Sequence, residues 1–206
     1  MDDKTLSPKL NLAILIGGRG SNMMALIDSC RESGFPARMS VVVSHRAEAA
    51  GIATARAAGV PVETVDHRNF ADKAGFESAL LETLEKYPVD IICLAGFMRI
   101  LSAGFVAHWP GKILNIHPSL LPDYKGLDTH ARVLADGRTE SGCTVHFVTP
   151  ALDDGEIILQ RRVPVLKDDT PETLAARVLE QEHRAYPEAI RMLADRRATA
   201  IRGSAP

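Results

Sequence analysis

Short apolar runs alternate along this chain with longer stretches in which apolar side chains recur every three to four positions. That alternation predicts a parallel β-sheet covered by helices. Strands are expected at about Leu10–Ile16, Met39–Ser44, Val60–Val65, Val89–Leu94 and Lys112–Ile116. Between them, Ser21–Ser33 carries Met24, Leu26, Ile27 and Cys30 on one side, and Phe76–Lys86 repeats Leu80, Leu81 and Leu84. Both read as crossover helices. After Ile116 the pattern changes to a loop rich in Pro and Gly, a short helix near Thr129–Asp136, and two strands, Thr144–Val148 and Ile157–Val165. These two are expected to pair as an antiparallel extension of the sheet. The last helix has an explicit start: Thr170 as N-cap, Pro171 in the first helical position and Glu172 near the positive helix end. It is expected to reach about Leu193, with Arg197–Pro206 frayed. The fold class is therefore α/β: a single domain with a mostly parallel, Rossmann-like sheet, helices on both faces and an antiparallel C-terminal extension.

Composition narrows the partners. The 206 residues, 46% of them hydrophobic, suffice for one full core without requiring a second domain. With 24 basic and 26 acidic residues the formal charge is −2, so the electrostatic footprint of a nucleic-acid binder is missing and a small anionic ligand must be held locally. Cys30, Cys93 and Cys143 are far apart and odd in number, which suits buried thiols in a reducing cytosol better than a disulfide framework. Met1–Lys9 is polar, without an apolar signal core, and no apolar stretch approaches the ~18 residues needed to cross a bilayer. A soluble, cytoplasmic protein with no membrane partner is expected.

Four segments carry candidate chemistry. Gly17-Gly18-Arg19-Gly20-Ser21-Asn22 lies between the first strand and the first helix, where glycines let backbone approach a ligand and free helix amides point at an anion. The same glycines serve equally well as a plain strand-to-helix turn. Met23 stands where a dinucleotide fingerprint has its third glycine, and no Gly-Lys-Ser/Thr ending follows. The second segment, Asn115-Ile116-His117-Pro118, ends the fifth strand, the end at which parallel sheets build their sites. Alternation sends Asn115 and His117 to one face and Leu114 and Ile116 into the packed layer, while Pro118 keeps His117 extended. An amide and an imidazole projecting together can donate to an oxygen that becomes negative; a hydrogen-bonded core histidine beside a turn asparagine is the bland alternative. Third comes Leu152-Asp153-Asp154-Gly155, between the two last strands. A type I′ hairpin turn accounts for Asp154-Gly155, and Asp153, if near an imidazole, could favour its protonation and position water. Ala95-Gly96-Phe97-Met98-Arg99-Ile100-Leu101 offers loop backbone and apolar side chains for a flat heterocycle, or a strand end with buried Phe and Met.

Taken together, Gly20-Ser21-Asn22, Ala95 to Leu101, Asn115-Ile116-His117-Pro118-Ser119-Leu120-Leu121-Pro122, Gly142-Cys143-Thr144-Val145-His146-Phe147-Val148 and Gln181-Glu182-His183 resemble the phosphoribosylglycinamide formyltransferase family, over about residues 10–195. The resemblance implies the formyltransferase fold in one domain spanning 1–206, with a phosphate-binding part at about 10–110 and folate-binding and catalytic elements at about 111–195. It implies 10-formyltetrahydrofolate as co-substrate, glycinamide ribonucleotide as acceptor, and no metal. By the same resemblance Asn115, His117 and Asp153 are the catalytic trio, and Gly20, Ser21, Asn22 and Glu182 contact the nucleotide. Lys73, Met98, Arg99, Ile100, Leu101 and Asn115 lie on the folate side. Asp128 stands where a second histidine is expected, and Leu179 replaces a polar residue near the phosphate. A formyltetrahydrofolate hydrolase, a transferase acting on initiator tRNA or an amino sugar, and a non-catalytic nucleotide-binding module are the rivals. The first two typically carry an extra domain for which this length has no room. A monomer and a homodimer are both compatible with the sequence.

Overall fold

The computed structural model describes residues 9–203. Residues 1–8 of the polar segment Met1–Lys9 and residues 204–206 of the tail lie outside them. One seven-stranded sheet runs through the described residues, in the order β3-β2-β1-β4-β5-β6-β7. Its strands are β1 (Leu10–Ile16), β2 (Ala37–Ser44), β3 (Val62–Thr64), β4 (Ile91–Ala95), β5 (Ile113–His117), β6 (Glu140–Phe147) and β7 (Ile157–Pro164). β1 to β5 are parallel; β6 is antiparallel to β5, and β7 to β6. The helices are α1 (Ser21–Arg31), α2 (Gly51–Ala57), α3 (Lys73–Leu84), α4 (Ala103–His108), α5 (Thr129–Ala135) and α6 (Pro171–Gly203).

The alternation read from the sequence explains the two cores. In β1, Leu12, Ile14 and Ile16 join α1 and α6 on one face of the sheet, while Ala13 and Leu15 join Phe76, Leu80 and Leu84 of α3 on the other. Leu114 and Ile116 fall in the first core as expected, and Ile113 in the second. Because the strand order reverses between β1 and β4, a crevice opens beyond their C-terminal ends. The Gly-rich turn and the 96–102 segment border it.

Several boundaries differ from the sequence reading. β3 keeps only three residues, since Val60 and Pro61 belong to the turn leading in. β6 begins at Glu140, and α2 and α4 were not anticipated because each is too short for a helical period to show. α6 continues to Gly203 where fraying was expected from Arg197. Its last turns are tied down by ion pairs, Arg196 with Glu156 at 3.3 Å and Arg197 with Asp90 at 2.7 Å. At its start, Thr173 N–H donates to Thr170 Oγ1 and Thr170 N–H donates to Thr173 Oγ1, a reciprocal cap. No helix among the described residues is long and apolar enough to cross a membrane.

Tyr186 anchors α6 to the sheet. Its ring is fully buried and its hydroxyl lies 3.1 Å from the carbonyl oxygens of both Leu94, near the end of β4, and Leu114, near the start of β5. Burial pushes the three thiols up, Cys30 to about 11 and Cys93 and Cys143 to about 12. Tyr186→Phe keeps the ring and removes the one buried O–H that the two carbonyls share, which should lower unfolding free energy by about 1–3 kcal/mol. Urea unfolding of the two proteins, with the m-value unchanged, measures this loss.

Candidate active site

Antiparallel pairing of β5 with β6 sets Asn115 opposite His146 and His117 opposite Thr144. Side chains at these positions share one face. Asn115 Nδ2 lies 3.4 Å from His146 Nε2, and His146 Nδ1 lies 2.8 Å from the carbonyl oxygen of Phe147. A carbonyl only accepts, so Nδ1 carries the proton and Nε2 offers a lone pair to the Asn115 amide. The amide orientation follows, and its second N–H stays free. Burial holds His146 below the ordinary histidine range, against the opposing pull of the Phe147 carbonyl and the Asp153 charge.

Asp153 arrives from the loop between β6 and β7. Its Oδ2 is 3.4 Å from His117 Nδ1 and its Oδ1 is 3.7 Å from His146 Nε2, with the His117 and Asp153 side chains only 7% and 8% exposed. Oδ2 also accepts the backbone N–H of Gly126 at 3.0 Å. His117 donates from Nε2 to the Tyr124 carbonyl at 2.9 Å. At 3.4 Å the Nδ1 contact is longer than a formed N–H···O bond. Nδ1 is thus held near a carboxylate without being saturated by it.

The expected type I′ turn at Asp154-Gly155 is absent. Residues 148–156 form a longer loop in which Asp153 itself is left-handed, with φ 47°, and Gly155 is not. Gly155 is required for a different reason: a Cβ there would fall 1.8 Å from the Phe147 carbonyl oxygen.

At the Gly-rich turn, Gly20 caps α1 with φ 75° and no side chain caps the free amides of the first turn. Gly17 is fixed by close approach, because a Cβ would sit 1.9 Å from the His45 ring. Asn22 and Glu182, 160 positions apart, meet here: Asn22 Nδ2 donates to Glu182 Oε2 at 2.6 Å, and both side chains are buried. Burial raises the Glu182 carboxyl and the Asn22 bond partly offsets this. Asn22 Oδ1 has no hydrogen-bond partner among the described residues.

Beyond β4 the 97–101 segment divides. Met98 and Ile100 are 71% and 64% exposed, whereas Phe97 and Leu101 sit in the second core and the Arg99 guanidinium lies 5.2 Å over the Phe76 ring. Lys73 is tied to this segment indirectly. It pairs with Glu77 at 3.9 Å, and Glu77 accepts from the backbone N–H of Ser102 at 2.7 Å and from its hydroxyl. Asp128 is exposed at the start of α5, with φ 54° and no capping bond; with His130, Pro171 and Glu172 it lines a groove of about 260 Å³. A second cavity, about 420 Å³, lies beyond the 120–124 turn and is walled by Arg138, Glu140, Gln160 and Arg162, away from the trio.

Asn115, His117 and Asp153 are thus gathered in one place, Gly20 to Asn22 join Glu182 in another, and Lys73 stands behind the 97–101 segment. His146 was given no role in advance, although its place two residues after Thr144 on a strand paired with β5 was a usable signal. The contacts of Tyr124 and Gly126 are made by backbone and leave no mark in a sequence.

A mostly parallel α/β sheet with an amide, two imidazoles and a carboxylate clustered on β5, β6 and the loop after β6 has the groups that polar group transfer uses. Comparison with known proteins specifies it further. Residues 10–190 match the family model for formyl transferase. The chain is 44% identical over 188 residues to phosphoribosylglycinamide formyltransferase of Escherichia coli, covering 91% of this chain and 89% of that one. It is 50% identical over 186 residues to the trifunctional purine biosynthetic protein adenosine-3 of Bos taurus, covering 90% of this chain and only 18% of the bovine protein. The crystal structure of phosphoribosylglycinamide formyltransferase from Brucella melitensis superposes with a TM-score of 0.87 at 51% identity, covering 90% and 96% of the two chains. The chain belongs to the formyl transferase family.

Burial holds four histidines, His45, His130, His146 and His183, below their ordinary value. A depressed folded-state value means that the unfolded chain takes up these protons first. The associated stability is present above the unfolded value near 6.5 and is lost as pH falls below it. Glu182, raised by burial, acts in the opposite sense, one carboxyl against four imidazoles. Denaturant midpoints measured from pH 7.5 to pH 5.5 should therefore fall; a flat or rising trend contradicts neutral, buried histidines.

Proposed function

We propose that this chain transfers the formyl group of 10-formyltetrahydrofolate to the amine of glycinamide ribonucleotide, a step of purine biosynthesis, in the cytoplasm and without nucleic-acid or membrane partners. The observation that carries the reading is the convergence of Asn115, His117 and Asp153 at the end of β5. The likeness to phosphoribosylglycinamide formyltransferase of Escherichia coli, which is matched over 89% of its length, supports the same reading.

The roles follow from the contacts. Asn115, oriented by His146, presents its second N–H, and protonated His117 presents Nδ1–H, to the formyl oxygen as the amine adds and that oxygen gains charge. As the new C–N bond forms, the bond from the formyl carbon to the folate nitrogen breaks. The proton leaving the amine reaches that nitrogen through a water ordered by Asp153, whose carboxylate also supports the charged imidazole. Gly20, Ser21 and Asn22 hold the phosphate with helix amides, and Glu182 takes the ribose or glycinamide end. Met98, Arg99, Ile100 and Leu101 line the folate pocket, the exposed Met98 and Ile100 by side chain and the other two by backbone, with Lys73 at its outer end. In this reading residues 10–110 supply the phosphate site and residues 111–195 the folate and catalytic elements. Leu179, one turn before Glu182, adds no donor to the phosphate, so the amides of α1 carry more of that binding.

The test is formyl-folate consumption followed spectroscopically with and without glycinamide ribonucleotide. Consumption should require the acceptor; consumption without it identifies a hydrolase. Asn115→Ala and His117→Ala should each lower kcat by at least ~100-fold with circular dichroism unchanged. Near-normal turnover in both removes the assignment. Asp153→Asn should slow transfer and alter its pH profile, and an unaltered profile counts against proton relay.

A further inference from the structure

The imidazole of His117 is held on its far side by one atom, the carbonyl oxygen of Tyr124, at 2.9 Å from Nε2. That carbonyl is aimed by an unusual backbone. Tyr124 is left-handed with φ 56°, a conformation costly for a residue with a large side chain, so the surroundings must hold it there. The surroundings are visible. The Tyr124 hydroxyl donates to Asp136 Oδ2 at 2.8 Å and accepts from Arg138 Nε at 3.0 Å, and the guanidinium carbons of Arg132 and Arg138 lie 5.3 and 5.8 Å from the ring centre. Arg132 also donates to the carbonyls of Lys125 and Leu127, so it grips the following residues as well. Two residues on, Gly126 N–H donates to Asp153 Oδ2. The start of the same turn is held separately by Thr144, which donates to the Ser119 carbonyl and accepts from Leu121 N–H.

We propose that Tyr124 is a positioning residue of the transfer reaction. Its ring, held against the guanidiniums of Arg132 and Arg138, fixes a strained turn whose carbonyl orients His117, leaving His117 Nδ1 aimed at the reacting group. Without the clamp the backbone relaxes from positive φ, the carbonyl swings away and the imidazole loses its fixed direction. The inference rests on the formyl-transfer reading above and adds a residue that touches neither substrate.

Steady-state transfer kinetics of the full chain test it, with folding checked by circular dichroism and thermal unfolding. Tyr124→Phe keeps the ring against the guanidiniums and should retain kcat within about 3-fold. Tyr124→Ala should lose on the order of 10- to 100-fold in kcat, the scale of a misoriented catalytic group, with KM for both substrates within about 3-fold. The deciding measurement is the pair of Tyr124→Ala and His117→Ala: a residue acting through His117 adds no further loss once the imidazole is gone. If Tyr124→Ala fails to fold, Arg132→Gln at its exposed position replaces it in the same cycle. Multiplying losses in the double variant, or a raised KM with kcat retained, overturns the positioning role while leaving formyl transfer intact. A wild-type chain that transfers no formyl group overturns both.

Discussion

The register between β5 and β6 is the constraint on which the site depends. Asn115 faces His146 and His117 faces Thr144 because the two strands pair in that alignment. A slip of one position would turn these polar side chains into the layer occupied by Leu114, Ile116, Cys143 and Val145. The apolar set on the other face therefore enforces the polar set on this one. On the other side of β6, Gly142 lets β7 come close, since a Cβ there would collide with the Arg161 carbonyl oxygen at 2.0 Å.

A second junction links distant parts of the chain. Asn22 on α1 and Glu182 on α6 meet in a buried hydrogen bond beside the Gly-rich turn, and Tyr186, one turn further along α6, reaches the carbonyls of Leu94 in β4 and Leu114 in β5. One face of α6 thus holds the first helix and the fourth and fifth strands together, and fixes α1 relative to β5.

Much of this was legible in advance because it rests on periodicity. The five parallel strands show as apolar runs, and the cofacial placement of Asn115 and His117 follows from strand alternation alone. The family motifs brought Asp153, Gly20 to Asn22 and Glu182 into the account, and the structure brings Asn115, His117 and Asp153 together and pairs Asn22 with Glu182. What stayed hidden has a common physical character. α2 and α4 are too short for a period to register, and Gly155 mimics a turn signal while meeting a demand for close backbone approach. The contacts of Tyr124 and Gly126 are made by main-chain atoms, which every residue possesses. His146 became visible only once its strand partner was known.

The long last helix has a bearing on how the molecule can be joined to others. Its 33 residues reach roughly 50 Å at 1.5 Å per residue, and the Arg197 pair with Asp90 brings its far end beside the start of β4. Leu10 begins β1 at that same margin, since β1 and β4 run side by side in one direction. Both ends of the described chain thus emerge behind the sheet, opposite the margin where the strands finish. Covalent tethering through either end, to a surface or to a neighbouring module, leaves the reactive margin facing outward and open to diffusing metabolites.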